Sequence, residues 1–164
     1  MTKCNSNLIL LVDTIKDSRD LAKLIQLSLA TNVLVYLTGD SLSYSNFKVL
    51  NILNSYSLDF PDEIKFNHIK YENDYFKTIE NLKKEGYLVV GTSPSSKKSL
   101  FSKNYSSEKV VLVFGTEHGG LSKKKMSVLD DLVLIPMFNQ IPFFTLETVM
   151  PIATYEILRQ KELV

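Results

Sequence analysis

Val110-Val111-Leu112-Val113-Phe114-Gly115-Thr116-Glu117-His118-Gly119-Gly120-Leu121-Ser122 is an apolar run that breaks at once into a glycine-rich turn. A short unbroken apolar run of this kind suits a parallel strand covered on both faces. A second such run, Leu132-Val133-Leu134-Ile135, ends in Pro136-Met137, and after a loop residues 143–158 are almost wholly apolar. Glycine at the carboxyl end of a strand lets the chain turn sharply and, lacking a Cβ, lets backbone amides approach a ligand. Two such turns side by side make a pocket at the carboxyl edge of a parallel sheet, where α/β proteins place ligands.

Working outward from that stretch, the preceding chain alternates between the same two patterns. Residues 8–12 are apolar over the length of a strand and are closed by Asp13. Asp17 and Asp20 read as a helix start, one capping free amides and the other favouring the positive end of the dipole. Leu21, Leu24, Ile25 and Leu29 continue at helical spacing, and residues 33–37 form the next buried strand. Such a unit implies a parallel pair with a right-handed crossover. The pattern predicts a helix over 43–55, a loop over 58–62 and a strand over 64–71. Residues 74–85 predict an amphipathic helix with Tyr75, Phe76, Ile79 and Leu82 on its stripe, stopped by Gly86. A strand over 87–90 ends in Gly91-Thr92-Ser93-Pro94, and residues 95–107 read mostly as a polar surface loop. With no repeat or linker visible, residues 1–164 read as a single domain. The fold class is α/β: a doubly wound, mainly parallel sheet of about six strands with helices on both faces.

Composition narrows the functions. Lys and Arg number 19 against 18 acids, so a strongly basic nucleic-acid binder is not indicated and any RNA contact must come from local patches. Cys4 is the only cysteine, which excludes a disulfide framework or a cysteine metal cluster, and His68 and His118 are too few and too far apart to suggest zinc. No metal is expected. The first apolar run is too short to span a membrane and meets Asp13, so a cytoplasmic protein is expected. The 115–121 turn lacks the G-x-G-x-x-G order and is not followed by G-K-S/T, so it is neither a dinucleotide fingerprint nor a Walker loop. Ser93 and Ser122 lack an acid or His at elbow spacing, which weakens a hydrolase reading.

Three motifs carry a resemblance. Phe114, Gly115, Glu117, Gly120, Leu121 and Ser122 fill the pattern F-G-x-E-x-x-G-L-S; Ile135, Pro136 and Met137 fill I-P-M; and Tyr155-Glu156 with Arg159-Gln160 match a helix ending in Y-E and R-Q. In these the chain resembles the knotted methyltransferases of the SPOUT class, in particular the SpoU/TrmH family of RNA ribose methyltransferases. The resemblance implies a C-terminal trefoil knot, which general rules of chain connection would argue against. It implies S-adenosylmethionine bound in a bent form between three loops. Carried over by position, these hold Thr92 and Ser93; Gly115, Thr116 and Gly120; and Ile135, Pro136, Met137, Phe143 and Phe144. It implies methylation of a ribose 2′-oxygen of tRNA or rRNA, and a homodimer through the C-terminal helix with each cofactor site near the partner's first helix.

The resemblance has gaps. The family's early Asn and the Arg six residues later, thought to help activate the ribose hydroxyl, correspond to Asp20 and Gln26. Gln cannot act as a base. Arg19 does not hold the family position but could reach substrate phosphate. The usual S-L-N is Phe143-Phe144-Thr145, glycines after I-P-M are Asn139 and Gln140, and a small residue is Glu147. Glu117 and Arg19 are the catalytic candidates. Glu117 could accept a proton, orient a neighbour, or bind amides of its own loop, and Asp20 reads as a helix-start residue. Lys123-Lys124-Lys125 could meet phosphate or form a solvated helix face. Pro151 should bend the apolar helix or mark its start. The alternative functional reading is a SPOUT-fold protein that binds cofactor or RNA and has lost transfer; a nucleotide- or flavin-binding domain is a third.

Overall fold

In the computed structural model, which describes residues 5–56, 67–139 and 141–164, twelve elements follow the order expected of a doubly wound fold. They are β1 (Asn5–Asp13), α1 (Ser18–Thr31), β2 (Val33–Thr38), α2 (Phe47–Ser55), β3 (Ile69–Glu72), α3 (Tyr75–Lys84), β4 (Tyr87–Thr92), a 3-10 turn (Leu100–Ser102), β5 (Lys109–Phe114), α4 (Lys123–Met126), β6 (Asp131–Val133) and α5 (Leu146–Gln160). The six strands form one sheet in the order β3-β2-β1-β5-β4-β6, every neighbouring pair parallel. The strand of the opening stretch, β5, sits beside β1 at the sheet's centre.

Alternation along the central strands explains the two covered faces, since successive side chains point to opposite sides. Leu8, Leu10 and Val12 of β1 with Val110, Leu112 and Phe114 of β5 face the layer of α1, α2 and α5. Ile9 and Leu11 with Val111 and Val113 face Tyr75, Ile79 and Leu82 of α3. Phe76, expected on the same stripe, is instead partly exposed, edge-on to Tyr75 with Lys124 over its ring at 5.2 Å. Among the described residues no helix is long and apolar enough to cross a membrane, and no group of three or more His, Cys, Asp or Glu could hold a metal ion.

Several boundaries differ from the sequence reading. The second helix starts only at Phe47, where Asn46 caps it by accepting from the Lys48 amide at 3.0 Å. The third strand begins at Ile69, while residues 64–66 and the expected loop at 58–62 lie outside the described residues. Residues 95–107 are not simply a surface loop: Leu100 and Tyr105 are fully buried, and Ser99 makes a parallel bridge with Leu134. Two isolated apolar side chains in a polar stretch anchor that stretch to the core beneath α5. The last helix starts at Leu146, with Thr145 as its N-cap residue, so Pro151 lies inside it and Phe143 and Phe144 belong to the loop before it.

Candidate active site

The carboxyl ends of β4, β5 and β6 surround a cavity of about 440 Å³, within the range of ligand pockets. Thr92, Ser93, Pro94 and Ser95 line it from the end of β4; Gly115, Glu117, His118, Gly119, Gly120 and Leu121 from the loop after β5; and Val133, Leu134, Ile135 and Met137 from the end of β6. Met126, Phe143, Phe144, Leu146 and Val149 complete it. Among the expected cofactor residues, only Thr116 and Pro136 are not part of the lining. Met126, Leu146 and Val149 were not expected there. Leu146 and Val149 share one apolar helix face, a legible signal, whereas nothing in the local sequence marks Met126.

Thr116 shapes the loop instead of lining the cavity. Its amide donates to the Gly120 carbonyl at 3.2 Å, its carbonyl accepts from the Gly120 amide at 3.0 Å, and its Oγ1 accepts from the Gly119 amide at 3.1 Å. Gly120 has φ +60°, a left-handed value that glycine adopts without strain. A Cβ on Gly115 would meet the Gly120 carbonyl carbon at 2.1 Å and the Leu121 nitrogen at 2.4 Å. The space beside Gly115 is therefore filled by the loop's own backbone, which corrects the expectation that this glycine leaves room for a ligand. On the opposite wall, the Ser93 amide donates to the Val133 carbonyl at 2.9 Å, and Ser96 Oγ donates to the Leu132 carbonyl at 2.7 Å.

The first helix begins beside this loop. Asp17 caps α1 by accepting from the Arg19 and Asp20 amides at 2.7 and 3.2 Å, the helix start expected from sequence. Glu117 reaches across from the pocket loop: its Oε1 accepts from the Lys16 amide at 3.2 Å and the Asp17 amide at 3.0 Å. These amides belong to the β1–α1 link, not to Glu117's own loop. Burial, then the charges of Glu117, Asp17 and Glu147, push the Asp20 carboxyl above its ordinary range, against the pull of Lys23. Glu147, where the family usually has a small residue, is ion-paired with Lys23 and ties α5 to α1. Arg19 is largely exposed, lies 3.8 Å from Asp17 and does not line the cavity of its own chain; Gln26 is also exposed. Of the lysine triad, Lys125 pairs with buried Asp13 and Lys124 lies over Phe76, while Lys123 is exposed.

The cavity's chemistry is selective. Its walls are apolar side chains and backbone-rich turns; among the described residues Glu117 is the only carboxylate that lines it, and no lysine or arginine does. Such walls suit an adenosine and a sulfonium cation; they offer no cationic side chain to a di- or triphosphate. That counts against the nucleotide reading.

The model of the SpoU rRNA Methylase family matches residues 7–155. The chain belongs to this family. It is 31% identical over 126 residues to the tRNA (guanosine(18)-2'-O)-methyltransferase of Borreliella burgdorferi, covering 74% of this chain and 57% of that protein. To the 23S rRNA (guanosine-2'-O-)-methyltransferase RlmB of Pseudomonas aeruginosa it is 29% identical over 85 residues, 52% of this chain and 34% of that one. The chain thus spans little more than half of the first relative and about a third of the second. Among solved structures, the TrmH/SpoU tRNA modifying enzyme of A. aeolicus superposes with a TM-score of 0.78 at 22% identity, over 98% of this chain and 78% of that one. A structure described by the 2-OH methylation of C/U34 on tRNA gives a TM-score of 0.80 at 20% identity, over 93% and 89%. At these identities, the likeness establishes that this SpoU-family chain shares their fold.

Proposed function

We propose that this protein is an S-adenosylmethionine-dependent RNA methyltransferase acting on a ribose 2′-oxygen of tRNA or rRNA. The observation that carries the reading is the cavity itself: the three loops implied by the family resemblance converge on one pocket that, among the described residues, no lysine or arginine lines. Thr92, Ser93, Gly115, Gly120, Ile135, Met137, Phe143 and Phe144 hold the cofactor, with Thr116 and Pro136 setting the loops' shape. Backbone groups of the turns read the edge of the adenine, and Ile135, Met137 and Phe144 cover its faces. Bound there, the cofactor would supply its sulfonium methyl group to the ribose oxygen: a C–O bond would form, the C–S bond would break with S-adenosylhomocysteine as the leaving group, and the hydroxyl proton would go to a base or water. The chain contributes orientation above all, since holding nucleophile and methyl in line removes much of the barrier.

The rest of the reading follows from the same family. Residues 1–164 act as one SPOUT-like domain. The trefoil knot is supported by chain path: β6 lies outside β4, yet α5 packs back on β1, β5 and α1. A homodimer through α5 is supported by Phe138, Ile141, Phe143, Phe144 and Tyr155, large apolar side chains exposed on the loop before α5 and on α5 itself. Pairing would bring Arg19 of one subunit beside the partner's pocket, where it meets substrate phosphate. The site of action is the cytoplasm. Incubation with methyl-labelled cofactor and total tRNA and rRNA should label RNA. S-Adenosylhomocysteine binding without any label would favour a binding protein, and stabilisation by nucleotides or flavin alone would contradict the cofactor assignment.

A further inference from the structure

We propose that Glu117 is a positioning residue that carries the state of the pocket loop to the first turn of α1. One oxygen of its carboxylate holds two backbone amides a hundred residues away, Lys16 at 3.2 Å and Asp17 at 3.0 Å. Asp17 in turn caps the helix with its own carboxylate. The two caps act in series: Glu117 fixes the backbone of Asp17, and the side chain of Asp17 fixes the helix start. A second strap lies further along the same segment, where Lys125 pairs with Asp13, whose other oxygen accepts from Thr38 Oγ1 at 3.0 Å. Residues 13–17 are thus gripped at both ends by the segment 117–125, whose first residues line the cavity.

The consequence is directional. A ligand that orders residues 115–120 also orders the first turn of α1, which carries Arg19 and Asp20. The clamp itself stands on hydrogen bonds; only its coupling to a ligand rests on the cofactor reading. Its chemistry needs an acceptor oxygen at this reach, not a negative charge or a proton acceptor. Glutamine supplies that oxygen and alanine does not.

Amide hydrogen exchange on the full chain tests both parts. In the ligand-free protein, Glu117→Ala should speed exchange at Lys16 and Asp17 by about tenfold, while Glu117→Gln stays within about threefold of the unsubstituted protein. S-Adenosylhomocysteine should slow exchange across residues 16–21 in the unsubstituted and Glu117→Gln proteins. In Glu117→Ala, held at saturating S-adenosylhomocysteine, that effect should be absent. If the alanine variant does not fold, Glu117→Asp, one methylene too short to reach both amides, takes its place. A glutamine variant that exchanges as fast as the alanine one overturns the clamp. Bound S-adenosylhomocysteine that leaves residues 16–21 unmoved in the unsubstituted protein overturns the coupling. No binding to the unsubstituted protein contradicts the cofactor reading instead, and the ligand-free comparison still decides the clamp.

Discussion

A β-carbon on Gly115 would lie 2.1 Å from the carbonyl carbon of Gly120, closer than any real contact of that kind. Gly115→Ala therefore forces the loop open and should cost about 2 kcal/mol or more of stability. It should also weaken S-adenosylhomocysteine binding by at least about tenfold, read by calorimetry alongside a melting curve; unchanged affinity in a folded variant would remove this loop from the site. His68 carries a second residue-scale prediction. It is buried, its Nδ1 lies 3.1 Å from Ser28 Oγ, and Ser28 gives its proton to the Val33 carbonyl, so Nδ1 is the donor. Burial pushes its pKa below the ordinary 6.5, so the unfolded chain binds more protons than the native one as pH falls through that value. The contribution of His68 to stability should be fully present above about pH 6.5 and be lost as pH falls below it, so His68→Gln should flatten the stability profile between about pH 7.5 and about pH 5.5. Equal slopes in both proteins would contradict this. Residue identities were legible at Gly115, Glu117 and Asp17; their partners were not. That Glu117 grips Lys16 and Asp17 depends on β1 and β5 being neighbours, a tertiary fact that local pattern does not contain.

Among the elements, α5 shows most plainly what pattern reading reaches and what it misses. Its apolar character was visible, yet residues 143–145 precede the helix, because the Phe143–Phe144 pair turns into the pocket wall before Leu146 begins the first turn. Met150, Ala153, Thr154, Ile157 and Leu158 are buried in the core, which leaves less of the helix for a partner than an all-round apolar stretch suggested. The helix ends on a polar anchor instead. Gln160 Oε1 accepts from the Tyr105 amide at 2.6 Å, and its Nε2 donates to the Lys103 carbonyl at 3.1 Å and to Glu156 Oε1 at 2.6 Å. Hydrogen bonds from Arg159 hold the Glu156 carboxyl below its ordinary range. Gln160→Ala strands a partly buried amide and should cost about 1–3 kcal/mol, seen as a lower denaturation midpoint. No change would show that the 103–108 segment is held by Leu100 and Tyr105 alone. The strands were easier to read, since long apolar runs bounded by Gly or Asp admit few alternatives. The 95–107 segment was harder because only two of its residues, Leu100 and Tyr105, are fully buried.

At the scale of the molecule, the loop before α5 leaves several large apolar side chains exposed: Phe138 is 90% exposed, and Ile141 and Phe143 are more than half exposed. A patch of that kind calls for a partner, and an isologous dimer covers it with a second copy. Sedimentation equilibrium at micromolar concentration should give about twice the 18.7 kDa chain mass, and Phe138→Glu combined with Tyr155→Glu should lower it toward one chain. A stable monomer would remove the shared site and return Arg19 to a surface role. Fold class was readable from the alternation of strands and helices. The knot was implied by the family alone, because it leaves no local signature, whereas the pairing was also suggested by the nearly all-round apolar stretch at 143–158. Methyl transfer itself is tested most directly by mass spectrometry of nucleosides from tRNA and rRNA incubated with the purified protein and S-adenosylmethionine. The account predicts a nucleoside heavier by one methyl group on its ribose, absent when S-adenosylmethionine is withheld; RNA that stays unmodified while the protein binds S-adenosylhomocysteine would contradict it.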